Sequence, residues 1–388
     1  MVDYAATQRV ATRPRTRARE SAYLRNLDWA LLLAVGGIIA YGLWVISGIT
    51  QDDVQGDPNY YVVRQAGFAL AGVAGLFGMT LVDPGFWRKH SRVVYGVLIA
   101  LLVLTPVLGS SVRNTRRWID IGPFRFQPSE FGKLLLVLFL AAFLADRGKR
   151  IYDRQTTLAA IGFAALPIVL VFLQPDFGTA IVYAGILGAT LFIAGTRWSH
   201  VAVLLVLGAF FATFVLWAGP SIGVDVLKDY QLKRITGFMH PDQDPGGATY
   251  NITQSITAVG AGGVDGRGVS GATQTNSNYL PEHATDFVFA STAEQRGFLG
   301  VTILLLLYLL VIWRAIKVVT LARDAFSAIA AGGIAFALLL QIFINVGMTI
   351  GMAPITGIPL PFVSVGGSSM VANLLAIGVL QAIAIRRR

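Results

Sequence analysis

The stretch LDWALLLAVGGIIAYGLWVISGI, residues 27–49, holds one charged side chain, Asp28, at its edge. A helix needs about 20 apolar residues to cross the hydrocarbon core of a bilayer, so this stretch reads as a transmembrane span. Nine further runs follow, at about 62–82, 92–110, 130–146, 157–174, 177–195, 199–219, 296–315, 326–351 and 368–385. They are continuous and do not alternate, which argues against a β-barrel. The expected fold is an all-α polytopic membrane protein with about ten transmembrane helices and one large extracytoplasmic loop. Composition agrees: 55% of residues are hydrophobic and 13% charged, with a mean hydropathy of +0.64.

Charge orients the spans. With the N-terminus inside, the inner segments hold 20 of the 31 basic residues. They include the six arginines from Arg9 to Arg25, the Arg88–Lys89–Arg92 group, and Arg147 to Arg154. The acidic DDVQGD loop, 52–57, falls outside. This asymmetry predicts a protein of the cytoplasmic (inner) membrane with both termini cytoplasmic. Residues 1–26 then form a basic cytoplasmic tail, with no cleavable signal peptide expected. The net charge of +10 is read as anchorage to anionic lipid, with no nucleic acid as partner. With no cysteine, neither disulfide nor thiolate chemistry is available.

Two outer loops break the charge pattern. One, at 110–130, carries Arg113, Arg116, Arg117 and Arg125. The other, at 220–295, carries Lys228, Lys233, Arg234 and Arg267. A loop that long in a compact protein is expected to be functional. It contains YLPEHATDFVFA, 279–290, where Glu282, His283 and Asp286 sit among Tyr279, Phe287 and Phe289. A carboxylate pressed between aromatics is costly unless it has a task.

QPSEFGK (127–133), QPDFGTA (174–180) and PFVSVGGSSM (361–370) each start a span from the outer side. Ser129, Asp176 and Ser368 are the expected N-caps. Three helix N-termini with free N–H groups, beside extra arginines, suit an anionic ligand such as phosphate. Glu130 and Lys133, spaced i, i+3, share one face of the fourth span. The four histidines show no metal-ligand spacing, and no P-loop, dinucleotide fingerprint or GxSxG motif is present.

The motifs RRWIDIG, FQPSEFGK, QPDFGTA, YNITQSITAVGAGG, LPEHATDFVFA, AEQRGFLG and PITGIPLPFVSVGGSS occur in this order over about residues 27–386. In this the chain resembles the SEDS family (shape, elongation, division and sporulation), and its RodA branch more than its FtsW branch. The resemblance implies one SEDS-type transmembrane domain over 27–386, with loop 220–295 carrying the catalytic motif. It also implies a peptidoglycan glycosyltransferase that joins lipid II units into glycan outside the membrane, for cell elongation and shape. Its implied partner is a class B penicillin-binding protein, a transpeptidase. The family's essential Asp maps to Asp286, and its QPSE..K and Arg-Trp motifs map to Glu130 and Lys133 and to Arg117 and Trp118. Two positions depart from the family. Ala284 precedes Thr285-Asp286-Phe287 where histidine is usual, with His283 one place earlier, and Val365 stands where tyrosine is common.

The expected chemistry is attack of an acceptor hydroxyl on a donor anomeric carbon, with Asp286 as general base. The pyrophosphate leaving group needs cations and N–H donors, for which Arg117, Lys133 and Arg234 are candidates. Trp118, Glu130 and Glu282 complete the expected substrate-binding set. A divalent cation could assist, though no metal site is legible and no cofactor is implied. An apolar groove beside spans 2 to 4 could hold the polyprenyl tail. A lipid-sugar transporter would instead call for ionisable residues at mid-membrane and an inverted repeat, and neither is clear. A non-enzymatic scaffold would tolerate Asn at position 286.

Overall fold

A computed structural model of the chain describes residues 26–112, 115–122, 124–214, 237 and 249–386. The helices that concern the site are α1 (Trp29–Ile49), α2 (Tyr60–Leu81), α3 (Ser91–Leu108), α4 (Pro128–Ala145), α5 (Arg154–Leu173), α6 (Phe177–Ile193), α7 (Trp198–Thr213), α8 (Tyr250–Gly262), α9 (Val288–Thr320), α10 (Ala325–Thr349) and α11 (Gly367–Ile385). Eight helices among the described residues are long and apolar enough to cross a membrane, and α6 and α7 are shorter apolar helices. Each of the ten expected spans thus finds a helix.

Helices α4, α10 and α11 form the buried centre, while α2 and α3 lie at the periphery. Small residues let the central helices approach closely, since helices in lipid associate by packing and not by hydrophobic exclusion. On α11, Gly378 lies against the backbone of Leu76 on α2. On α10, Gly332 and Gly333 receive Ile193 of α6 and Val137 of α4. One end of α1 is tied by Asp28, whose carboxylate caps Leu31 N and is gripped by Arg314 of α9, with Nη2–Oδ2 2.6 Å. Gln381 of α11 closes the knot, accepting from Asp28 N and donating to Asp28 O, both at 2.9 Å.

Two segments differ from the sequence expectation. The arginine-rich loop after the third span is not irregular throughout. It contains three short antiparallel strands, β1 (Ser110–Val112), β2 (Thr115–Ile121) and β3 (Phe124–Phe126), in the order β1-β2-β3. Register pairs Ser110 with Trp118 and Asp120 with Arg125. Nor is 220–295 one open loop, since its described part folds into α8, two short helical turns at Gly268–Gly271 and Thr273–Asn276, and the start of α9.

That start, expected near residue 296, comes at Val288. The polar run Glu294-Gln295-Arg296 reads as a loop, but the structure buries Glu294 and Gln295 completely or nearly so. Helix α9 breaks at Gly297, with φ 64° and ψ −169°, a conformation open essentially to glycine. The connection after α8 enters the break, so that Phe298 N donates to Gly263 O (2.9 Å) and Leu299 N to Val264 O (3.2 Å). The amides of Phe298 and Leu299, freed by the break, are thereby satisfied.

A Cβ on Gly297 would meet Gly266 N at 2.3 Å and Val264 O at 2.4 Å, whereas Gly260 of α8 has open space. Gly297→Ala is expected to destabilise the protein by about 2–4 kcal/mol through strain and overpacking, with Gly260→Ala within about 1 kcal/mol of wild type. Thermal unfolding in detergent distinguishes them; equal midpoints would refute the account of the break.

Candidate active site

Asp286 sits in the turn 281–287 that leads into α9 and is half-buried. The turn is sharp: Glu282 has φ 57°, and its backbone O accepts from Thr285 N (3.1 Å) and Phe287 N (3.2 Å). The Glu282 carboxylate accepts from Thr285 Oγ1 at 2.9 Å, which makes it a stabiliser of the turn. Beneath lies a small apolar cluster of Leu280, Phe287, Ile252 and Ile355. Phe287 is thus the anchor that fixes how Asp286 emerges.

The connection between α10 and α11 holds this turn through its backbone. Val365 N donates to Ala284 O (2.9 Å), and Ser364 Oγ donates to Thr285 O (2.5 Å). Asn345, fully buried near the end of α10, donates through Nδ2 to Asp286 O (2.9 Å) and Ile358 O (2.8 Å). Gly357 has φ 70°, and a Cβ there would lie 3.3 Å from Asp286 Oδ2. The missing side chain gives the carboxylate its room.

The three helix starts singled out in the sequence meet one another. Asp176 caps α6 by accepting from Thr179 N at 3.3 Å. Its second oxygen accepts from Gln127 Nε2 and Ser129 Oγ, both at 3.1 Å. Ser129 therefore does not cap α4, whose N-cap is Gln127. Ser368 does not cap α11 either, since Gly366 is its N-cap. Its hydroxyl instead accepts from Gln127 N (2.9 Å) and donates to Arg125 O (2.7 Å), tying β3 to α4 and α11. The two serines lie two residues too deep to cap and bridge helices instead.

Arg117 and Trp118 lie on β2. Arg117 Nη1 is 3.7 Å from Asp176 Oδ1, and its guanidinium stacks over the Trp118 ring at 4.7 Å. Deeper in α4, Lys133 Nζ is 2.8 Å from Glu130 Oε2 and 2.5 Å from Gln341 Oε1 of α10. All three are nearly fully buried. The pair is satisfied by a third group, the condition under which buried charges are tolerated. Arg234 lies outside the described residues. No group of three or more His, Asp or Glu side chains suited to a metal occurs among the described residues.

A chain of bonds joins the two halves of the site. Gln65 of α2 donates to Ser364 O (2.9 Å) and accepts from Gly366 N (3.1 Å). From Arg117 it runs through Asp176, Gln127 and Ser368 into the first turn of α11, then through Gly366, Gln65 and Ser364 to Thr285 beside Asp286. Sequence reasoning missed Gln65, Asn345, Ser364 and Glu294. Each is polar within or beside an apolar stretch, and that was the available signal. Glu294 is fully buried and accepts from Gln274 N, Thr275 N and Thr275 Oγ1 at 2.7–2.9 Å. It holds the turn 273–276 and is fully used in doing so.

The family described as "Cell cycle protein", comprising FtsW, RodA and SpoVE, matches residues 25–388. Stage V sporulation protein E of Bacillus subtilis is 38% identical over 353 residues, covering 90% of this chain and 93% of that protein. Peptidoglycan glycosyltransferase MrdB of Escherichia coli is 34% identical over 363 residues, covering 94% and 95%. A chain from the solved structure of a peptidoglycan synthase complex that coordinates polymerization and crosslinking aligns with a TM-score of 0.79 at 28% identity, covering 93% of this chain and 98% of that one. The rod shape determining protein RodA of Thermus thermophilus aligns with a TM-score of 0.67 at 26% identity, covering 93% and 97%.

Asp176→Ala removes the one carboxylate that Arg117, Gln127, Ser129 and Thr179 N share. It is expected to destabilise the protein by about 2–4 kcal/mol, read as a lower unfolding midpoint of the purified protein. An unchanged midpoint would show that the helix starts do not depend on this carboxylate.

Proposed function

We propose, from the premise that this chain belongs to the FtsW/RodA/SpoVE family, that it is a peptidoglycan glycosyltransferase whose general base is Asp286. The observation that carries the assignment of the base is the Asp286 turn. Its backbone is fixed by Asn345, Ser364 and Val365, and its carboxylate faces a glycine. A base acts efficiently when it is held at a defined place beside the proton it must take.

The substrate is lipid II, a disaccharide-peptide joined through pyrophosphate to a polyprenyl chain. The acceptor sugar's hydroxyl oxygen attacks the donor's anomeric carbon. The bond from that carbon to the pyrophosphate oxygen breaks, and the hydroxyl proton passes to Asp286. Polyprenyl pyrophosphate leaves with the bonding electrons, so cations beside it lower the barrier. On β2 and β3, Arg116 and Arg125 are exposed, while Arg117 is braced by Asp176 and Trp118. This sheet supplies the positive surface for the pyrophosphate, together with Arg234 from the 220–295 segment. Lys133 is already engaged by Glu130 and Gln341, so it sets the seam of α4 and α10 beneath the site and acts on substrate through that seam. The polyprenyl tail lies against α2 and α3, which present Leu70, Phe77, Val97 and Leu104 outward.

The reaction is placed at the outer face of the cytoplasmic membrane, with both termini cytoplasmic, on the strength of the basic inner segments. The partner is a class B penicillin-binding protein that crosslinks the new glycan, and the role is elongation. These readings rest on the motif resemblance and on the peptidoglycan synthase complex that this chain resembles.

Asp286→Ala is expected to lower polymerisation by about 100- to 10,000-fold while leaving the fold intact. The measurement is glycan formed from labelled lipid II by purified protein with its transpeptidase partner. Near-wild-type polymer from a well-folded Asp286→Ala protein sinks the assignment.

A further inference from the structure

The Asp286 turn is held by the backbone bonds described above. A pair of side chains also holds it. His283 Nε2 lies 3.1 Å from both Asp53 Oδ1 and Asp53 Oδ2. Asp53 belongs to the connection between α1 and α2, 230 residues away in sequence. Taken as a whole residue it is exposed, yet its side chain is only 18% exposed, against 11% for that of His283. An open loop is therefore pinned by a carboxylate that it turns inward.

Both atoms facing Nε2 are acceptors, which places a proton on that nitrogen. The resulting bond to an ionised carboxylate is charge-assisted and roughly twice as strong as a neutral one. His283 is fixed at its backbone as well, where Ser291 Oγ in the first turn of α9 donates to His283 O at 3.2 Å. The surroundings are charged. Tyr61 at the start of α2 lies within electrostatic reach of Asp53, Arg64 and Glu282. Arg64 in turn bonds the Tyr60 hydroxyl, and Glu282 accepts from Thr285. His283 thus links three elements, namely the α1–α2 loop, the turn and α9, at a point three residues from Asp286.

We infer that His283 is a positioning residue for the reaction proposed above, and that Asp53 is the partner through which the α1–α2 loop holds the Asp286 turn in register. The inference rests on Asp286 being the base. A misplacement of about 1 Å can cost a reaction about a hundredfold, so a tie at this distance from the carboxylate bears on rate more than on binding.

The test uses the full chain with its partner, comparing wild type, Asp53→Asn, His283→Gln, the double variant, Asp53→Glu and Asp52→Asn. Each neutralising variant is expected to lower kcat about tenfold with KM for lipid II within about twofold of wild type. The double variant should be no slower than the worse single one, because the two act as a unit. Asp53→Glu should recover part of the rate, and Asp52→Asn should match wild type. Hydrogen exchange of the 284–287 amides should quicken in both single variants. Unchanged kcat, or losses that multiply in the double variant, overturns the positioning role while leaving Asp286 as base. If the wild type makes no polymer, the proposed reaction itself fails, and faster exchange would then reveal a mechanical tie without the catalytic role inferred here. Should a neutralising variant unfold, Asp53→Glu decides, and a folded Asp53→Glu protein whose exchange and rate both match wild type while His283→Gln also matches overturns the inference.

Discussion

Backbone placed in hydrocarbon must find its hydrogen bonds within the protein, and the rest of this architecture depends on that constraint. Ten spans meet it by being helical. The segments of the candidate site cannot, because a turn that presents a carboxylate leaves carbonyls and amides in need of partners. Those groups are satisfied by polar side chains drawn from the spans and from the α10–α11 connection. Asn345 serves Asp286 and Ile358, Gln65 serves Ser364 and Gly366, and Ser364 serves Thr285 and Leu360. Where α9 breaks, the connection after α8 performs the same service with its own carbonyls. Polar residues inside the bundle are thus placed where the chain departs from helix.

The same constraint explains why the helix starts matter. Gln127 and Ser129, Asp176, and Ser368 come from three helix starts far apart in sequence, and their side chains bond across those starts. Capping satisfies one helix end, whereas cross-bonding satisfies several and fixes the helices relative to one another. The small sheet is anchored to this hub through Arg125 O and Arg117. Its arginines therefore stand on a rigid base, although the strands themselves are short.

Much of the fold was legible because hydropathy answers to the bilayer directly: each apolar run became a helix, and most of the described ends moved by a few residues, the start of α9 by eight. Failures came where local sequence and tertiary setting disagree. Glu294-Gln295-Arg296 looks like loop, yet Glu294 is buried and bonded by residues 274 and 275, which no periodicity could foretell. The strands at 110–126 carry charge and no clean alternation, so they read as irregular. At the site, Asp286, Arg117, Glu130 and Lys133 stood out as charges among apolar neighbours, and Arg234 lies outside the described residues. Asn345, Gln65 and Ser364 did not stand out, because a neutral polar side chain in or beside a span has many possible uses and its partners are set by the fold.

The carboxylates divide by what their oxygens do. Those of Asp28 are gripped by Arg314 and by the amide of Leu31, those of Asp176 receive four donors, and those of Glu294 receive three. Such groups are structural: each neutralises donors that would otherwise be buried unpaired. Around Asp286 the clamp is built differently. Ala284, Thr285 and Asp286 are held through their carbonyl oxygens, and Phe287 through its ring. Gly357 keeps a side chain from filling the space before the carboxylate. The role proposed for Asp286 calls for such an arrangement: a carboxylate fixed in place by its backbone, with room before it. A charged residue in an oily chain is therefore placed here by backbone carbonyls and a buried ring, with a glycine before its carboxylate.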